Sequence, residues 1–166
     1  MATITFKSDP VTTIGELPKV GTQAPDFVLT KNDLSDVSLQ DFAGKRKILN
    51  IVPSLDTRVC ATSAHEFDKA ISTLDNVVCL TISRDLPFAS ARFSQSEKID
   101  NIVMLSQLRD DAFGRDYGVA ITSGPLAGIL SRAVVVLDES NTVLYTEQVS
   151  EIAEQPDYQA ALAAVN

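Results

Sequence analysis

The apolar positions of the chain form two patterns, continuous runs and runs at helical spacing. Lys47–Pro53 and Val77–Ser83 are continuous apolar runs of strand length, which is typical of strands buried on both faces of a sheet. Between them, Cys60–Leu74 carries apolar residues that fall on one face of a helix. Strand, helix and strand in this order predict a right-handed parallel βαβ unit.

Shorter patterns on both sides of this unit predict the remaining elements. Asp85 followed by Leu86 and Pro87 signals the start of a helix that runs to about Lys98. The other predicted elements are a hairpin of Ile4–Phe6 and Val11–Ile14 around the turn Lys7–Pro10, strands at Phe27–Leu29, Val37–Leu39 and Ile102–Leu105, a helical turn at Asp41–Gly44, a helix at Ala112–Tyr117, a strand pair of Arg132–Leu137 and Val143–Val149, and a closing helix at Asp157–Val165. Together they predict an α/β protein with a thioredoxin-like fold, in which helices flank a central mixed sheet and an N-terminal β-hairpin is added.

The length and composition of the chain are those of a small globular protein. Its 166 residues fit one domain, so we expect residues 1–166 to fold together, with residues 1–15 as a hairpin appendage. No apolar run reaches the ~18–20 residues of a membrane-spanning helix. The amino terminus also lacks the pattern of a secretory signal. We therefore expect a cytoplasmic protein that does not associate with membranes.

The charged and metal-binding residue types argue against two further function classes. The chain carries 14 Lys and Arg against 22 Asp and Glu, a net charge of −8, and its basic residues are scattered apart from Lys45–Lys47. This disfavours nucleic-acid binding, which depends on clustered cations. Two cysteines and one histidine cannot form a Cys/His zinc site. We expect no metal and no cofactor, and two cysteines that are free, buried or catalytic.

The segment between the first buried strand and the following helix places a cysteine at a helix start. Pro53–Cys60 leaves the carboxyl end of a central strand, which is where open α/β sheets bind their ligands. In the first helical turn, Cys60 faces unpaired backbone N–H groups and the positive end of the helix dipole, and both favour the thiolate over the thiol. Cys60 is therefore a candidate nucleophile. The same position is equally typical of a small buried side chain, since free cysteine is among the most buried residue types.

Four residues resemble the active-site signature of peroxiredoxins. Pro53, Thr57 and Cys60 match the family pattern P-x-x-x-T-x-x-C, and Arg132 opens a predicted strand where that family has its active-site arginine. The chain is most similar to the bacterial thiol peroxidase branch, and the blocks that carry this similarity are the amino-terminal hairpin, Asp33–Asp36, Phe42–Lys47, Asp85–Ala89 and Pro156–Leu162. The resemblance covers nearly the whole chain and implies a homodimer.

The resemblance implies a thiol-dependent peroxidase. Cys60 would attack the terminal oxygen of hydrogen peroxide or an organic hydroperoxide, become a sulfenic acid and release water or an alcohol. Arg132 and Thr57 would orient the peroxide and stabilise the charge that moves onto the leaving oxygen, while Pro53 would shield the pocket from water. We expect the strand after Arg132 to run antiparallel to the one that ends at Pro53, which brings the two residues close. Taken singly, Thr57 is also a typical helix cap and Arg132 a typical surface charge.

The sequence departs from thiol peroxidases at the second, resolving cysteine. That branch carries it in a Phe-Cys-Gly-Ala-Glu-Gly run, whereas here Ser94 occupies the position. A serine cannot condense with a sulfenic acid to form a disulfide. Cys79 is a poor substitute, because a helix about 20 Å long separates it from Cys60 and a disulfide needs Cα atoms within about 7 Å. We interpret Cys79 as a core residue and expect thioredoxin or another external thiol to reduce Cys60.

Two functions stay open on the sequence alone. The alternative to the peroxidase is a peroxide-sensing or interaction module, in which a partner detects the oxidation of Cys60 without efficient turnover.

His65 lies about 140° around the helix axis from Cys60, so we expect a surface histidine rather than a Cys–His pair. Leu126, Phe88 and Phe93 are candidates for an apolar substrate pocket, although packing in the core or in a dimer interface explains them as well.

Overall fold

The computed structural model describes all 166 residues, which form a seven-stranded mixed sheet, a separate two-stranded hairpin and four α-helices. The strands are β1 (Thr3–Phe6), β2 (Asp9–Thr12), β3 (Leu29–Lys31), β4 (Asp36–Val37), β5 (Arg46–Ile51), β6 (Val77–Ser83), β7 (Val103–Ser106), β8 (Ala133–Leu137) and β9 (Val143–Gln148). The helices are α1 (Arg58–Ile71), α2 (Pro87–Glu97), α3 (Ala112–Asp116) and α4 (Tyr158–Val165), with a 3-10 turn at Leu39–Phe42. None of the helices combines the length and the apolar character needed to cross a lipid bilayer.

The strand order explains how distant parts of the chain meet. Across the sheet the order is β4-β3-β7-β6-β5-β8-β9. β5, β6 and β7 run parallel, which confirms the predicted βαβ unit, and β8 runs antiparallel to β5. Ile51, the last residue of β5, therefore pairs with Ala133, the first residue of β8. This pairing confirms the predicted approach of the segment after β5 to the segment before β8.

The two faces of the sheet bury separate apolar clusters, because successive side chains on a strand point to opposite faces. On β5, Ile48 belongs to the cluster that includes residues of α1 and α4, whereas Leu49 and Ile51 belong to the cluster on the other face. All three side chains are fully buried. The continuous apolar run that predicted this strand therefore reflects burial on both faces.

Helix α1 begins directly after a polar capping residue. Thr57 has an extended backbone, and its hydroxyl accepts a hydrogen bond of 3.3 Å from the N–H of Cys60. The buried side chains of the helix are three, four or seven residues from Cys60, Ala64 or Phe67, and they are Cys60, Ser63, Ala64, Phe67 and Ile71. This spacing gives one apolar face that packs on the sheet. It also places Cys60 in the first turn, as predicted.

The amino-terminal hairpin has a tighter turn than the sequence indicated. The predicted turn Lys7–Pro10 is wrong in its second half, because Asp9 and Pro10 belong to β2 and only Lys7 and Ser8 form the turn. Pro10 lies opposite Thr5, whose N–H donates to the carbonyl of Ser150 instead of to β2. A proline, which has no N–H of its own, is therefore tolerated in this strand.

Candidate active site

Cys60 lies in the first turn of α1, three residues after the capping residue Thr57. Its side chain is fully buried, and its N–H donates to the Thr57 hydroxyl. That hydroxyl in turn donates to the carbonyl of Ser54 at 3.3 Å. Thr57 is thus a helix cap, and it also faces the cavity described below. Pro53 follows the carboxyl end of β5 by two residues, is buried, and faces that cavity as well.

Arg132 directly precedes β8, the strand next to β5, and reaches Cys60 from there. Its guanidinium Nη1 donates to Cys60 Sγ at 3.2 Å, and its Nε donates to the carbonyl of Ile152 at 2.7 Å. The side chain is only 2% exposed, so it is not the surface charge that its residue type alone suggests. No carboxylate lies within ion-pair distance of it. The sulfur of Cys60 is therefore the group that can compensate this buried positive charge.

Arg132, which contacts Cys60, lines an open, mainly apolar cavity of about 480 Å³, whereas the fully buried Cys60 does not itself line it. Its apolar walls include Phe6 from the hairpin, Leu126, Ile129 and Ile152, and its polar lining includes Thr57 and Arg132. The cavity is large enough for a small organic molecule rather than for a peroxide group alone. The structure thus brings together Pro53, Thr57, Arg132 and Leu126 from the predicted site.

Phe88 and Phe93 do not line this cavity, contrary to the sequence-based prediction. Phe88 is 66% exposed on the first turn of α2 and borders a separate depression with Arg92. Phe93 is buried in the cluster beneath α1 and borders the depression between α1 and α2. The sequence carries a signal for this, because two residues five apart on a helix such as α2 face different sides of it.

The second cysteine and the serine at the resolving position lie elsewhere. Cys79 is fully buried and pairs in register with Ile48. Ile48 lies three residues before Ile51, so Cys79 is about 10 Å along the sheet from the end of β5. Burial raises the pKa of the Cys79 thiol. Ser94 is half-buried on α2, and both cysteines are free. His65 is exposed and contacts Glu97 at 2.8 Å, so it takes no part in the site, as predicted.

Asp85 supports the site in a way that sequence analysis missed. It was predicted to mark the start of α2, but Leu86 is the cap residue and no side chain caps that helix. The Asp85 carboxylate instead accepts hydrogen bonds from the Ser54 hydroxyl at 2.9 Å, the Leu55 N–H at 2.8 Å and the Ser83 hydroxyl at 2.8 Å. It therefore ties the loop before α1 to the end of β6. Its place directly after a parallel strand is the signal that could have indicated this role.

Residues 19–162 match the Redoxin family. The chain belongs to the redoxin family. This redoxin is 52% identical to the thiol peroxidase of Streptococcus sanguinis over 161 residues, which is 97% of each chain. Among solved structures, it is similar to a peroxiredoxin-like protein from Aquifex aeolicus, with a TM-score of 0.94, 36% identity and coverage of 99% of this chain and 96% of that one.

A second solved structure is also similar to this redoxin over most of its length. The thiol peroxidase from Chromobacterium violaceum matches with a TM-score of 0.89 and 27% identity, over 95% of this redoxin and 91% of that chain. These similarities confirm the predicted resemblance to the thiol peroxidase branch of the peroxiredoxins. They also confirm the predicted α/β architecture with a central mixed sheet, flanking helices and an amino-terminal hairpin.

Proposed function

We propose that this redoxin is a thiol-dependent peroxidase and that Cys60 is its nucleophile. The Cys60 thiolate attacks the terminal oxygen of a hydroperoxide, an S–O bond forms, and the O–O bond breaks. The leaving oxygen takes up a proton and departs as water or an alcohol. Sulfur is oxidised by two electrons to the sulfenic acid, and the peroxide is reduced by the same two.

The observation that carries this proposal is the buried contact between Arg132 and Cys60. A buried charge without a partner costs several kcal/mol, and no carboxylate pairs with Arg132. A thiolate at 3.2 Å from Nη1 supplies the missing negative charge. An arginine held there places a positive charge and a hydrogen-bond donor on the sulfur before any substrate arrives.

The other residues of the site receive roles from their positions. The guanidinium of Arg132 faces the cavity and stabilises the charge that develops on the leaving oxygen. The Thr57 hydroxyl exchanges its long bond to the Ser54 carbonyl for one to the peroxide. Pro53 keeps water from the sulfur. The apolar wall with Leu126 accommodates the organic part of an alkyl hydroperoxide, and hydrogen peroxide enters the same cavity.

The recycling step uses a thiol from outside the chain. Ser94 cannot form a disulfide, and Cys79 lies buried beside Ile48 in the sheet. An external thiol, from thioredoxin or another donor, attacks the Cys60 sulfenic acid and forms a mixed disulfide with loss of water. A second thiol then releases reduced Cys60 and leaves an oxidised donor.

Three further proposals concern the whole molecule. Residues 1–166 act as one domain, since Ile4 and Val11 of the hairpin pack with Ile121 and Ile152 in one apolar cluster. The cytoplasm is the proposed location, because its reducing thiols keep Cys60 available. A homodimer is the proposed assembly, because the resemblance to thiol peroxidases implies one, and the exposed Phe88 offers an apolar contact for it.

The test is the intact mass of reduced protein after one equivalent of an organic hydroperoxide, followed by turnover with thioredoxin, thioredoxin reductase and NADPH. We expect a gain of about 16 Da for a sulfenic acid on Cys60, and sustained NADPH consumption. A loss of about 2 Da would indicate a Cys60–Cys79 disulfide and contradict the recycling route. A single stoichiometric oxidation that no thiol donor reverses would favour the peroxide-sensing module instead.

A further inference from the structure

The turn of the amino-terminal hairpin is held by a carboxylate from the other end of the chain. Lys7 and Ser8 have φ of 53° and 71°, which is the left-handed region that non-glycine residues adopt at a cost. The N–H groups of both residues donate to the carboxylate of Glu151 at 3.1 Å. The Thr5 hydroxyl donates to the same carboxylate at 2.7 Å. Glu151 therefore stabilises a turn whose own residues do not favour it.

The hairpin is also joined to residues 150–152 through the backbone. The N–H of Thr5 donates to the carbonyl of Ser150 at 2.7 Å, and the N–H of Ile152 donates to the carbonyl of Thr5 at 2.9 Å. Ile152 is 4% exposed and packs against Ile4 and Val11 of the hairpin. The position of Ile152 is thus determined by strand β1.

The carbonyl of this same Ile152 accepts the hydrogen bond from Arg132 Nε. The guanidinium is planar and rigid, so fixing Nε against one acceptor also fixes the direction of Nη1. Nη1 is the atom that contacts Cys60 Sγ. A continuous set of hydrogen bonds therefore runs from Glu151 through Thr5 and Ile152 to the sulfur.

We propose that Glu151 is a positioning residue for the peroxidase reaction: by holding the amino-terminal hairpin on residues 150–152, it keeps the Ile152 carbonyl where it directs Arg132 at Cys60. This inference rests on the proposed function, since it explains how the same site is kept in order. Glu151 itself lies outside the cavity and touches neither the sulfur nor the substrate. Hydrogen bonds from the Thr5 hydroxyl and the hairpin turn lower the pKa of Glu151 to about 2, so the carboxylate is ionised at neutral pH.

The experiment compares Glu151→Gln with Glu154→Gln. Glu154 lies three residues away on the same segment, is exposed, and its carboxylate has no hydrogen-bond or ion-pair partner in the chain, so its variant removes the same charge without the contacts. Two properties of Cys60 are measured: the ultraviolet absorbance of its thiolate at neutral pH, and the rate constant of its oxidation by a hydroperoxide. Buried Cys79 adds no thiolate at that pH, because its pKa is raised. Thr5→Val breaks the same link at its other end and serves if Glu151→Gln folds poorly.

We expect Glu151→Gln and Thr5→Val to lower the oxidation rate constant by about three- to thirtyfold, together with the thiolate absorbance. Glu154→Gln should match the wild type. Adding Lys7→Asn and Ser8→Gly, which suit the turn, should restore both properties in Glu151→Gln. The inference is overturned if Glu151→Gln oxidises at the wild-type rate, or if the turn replacements restore nothing. Failure of the proposed function would show differently, as a wild-type protein that does not consume peroxide.

Discussion

The contact between Arg132 and Cys60 predicts a large effect of Arg132→Met on activity and a small effect on stability. Methionine fills much of the same volume but carries no charge and no donor. It removes the hydrogen bond to Cys60 Sγ and the one to the Ile152 carbonyl. It also removes the guanidinium from the wall of the cavity.

The expected loss of activity follows from the donors that disappear. A hydrogen bond to a charged group contributes about 1.5–3 kcal/mol, and a preorganised donor aimed at a developing negative charge contributes about 2.7–4 kcal/mol to the transition state. The two contributions overlap because one guanidinium makes both. We therefore take the larger and expect the rate constant of Cys60 oxidation to fall about 10²–10³-fold.

The expected change in stability is small. The variant no longer buries a charge, and replacing buried charges by apolar groups is often neutral or stabilising by about 1–4 kcal/mol. Against this, the carbonyl of Ile152 loses its bond from Nε, and an unsatisfied buried acceptor costs about 1–3 kcal/mol. These terms nearly cancel, so Tm should stay within about 4 °C of the wild type.

Stopped-flow oxidation by an organic hydroperoxide and thermal unfolding measure the two effects on the same samples. Arg92→Met is the matched control, since Arg92 is exposed on α2 and lies outside the cavity that Arg132 lines. Arg132→Lys keeps the charge but not the planar guanidinium, so its oxidation rate constant should lie between those of Arg132→Met and Arg92→Met. The reasoning is refuted if Arg132→Met oxidises within threefold of the wild type, or if its loss of rate is matched by a large loss of stability.

Three further predictions test other parts of the molecule. Cys79→Ala should leave peroxide consumption unchanged and cost about 1–2 kcal/mol in the free energy of unfolding, because the buried thiol only fills space; lost turnover in this variant would show a redox role. Asp85→Asn should slow Cys60 oxidation about tenfold, since an amide nitrogen would face the Leu55 N–H or the Ser54 hydroxyl and loosen the loop before α1; unchanged stopped-flow kinetics would contradict it. The lowered pKa of Glu151 means that its carboxylate stabilises the docked hairpin above its ordinary pKa of 4.5, and that this stabilisation is lost as the pH falls toward about 2; the amide resonances of Lys7 and Ser8 should follow that titration, and a midpoint near the ordinary pKa would show that the bonds are absent.

Sequence analysis predicted the elements whose signals are local. The runs that became β5 and β6 are buried on both faces, and the apolar spacing of α1 matches its packed face, so pattern and burial agree. The errors fell at turns, at helix starts and at the short edge strands, since the strand predicted at Phe27–Leu29 is β3 at Leu29–Lys31. The residue types alone predict a turn at Pro10 and a helix start at Asp85, because each is typical there. In the structure Pro10 pairs with Thr5, whose N–H donates to the distant Ser150 carbonyl, and Asp85 accepts a hydrogen bond from Ser54.

The same division holds for the site. The sequence by itself determined that Cys60 stands in the first turn of a helix after a capping threonine, since both follow from neighbours within three residues. Only the tertiary structure decided that Arg132, 72 residues away, is buried with its charge on that sulfur, and that a hairpin 146 residues from Glu151 holds the supporting carbonyl. Helix periodicity and capping depend on short-range geometry, which a sequence displays directly. Strand register and the pairing of buried polar groups depend on which distant segments pack together. The resemblance to peroxiredoxins and the expected antiparallel strand indicated the approach of Arg132, but the residue patterns gave no signal for the contacts of the Ile152 carbonyl and of Glu151.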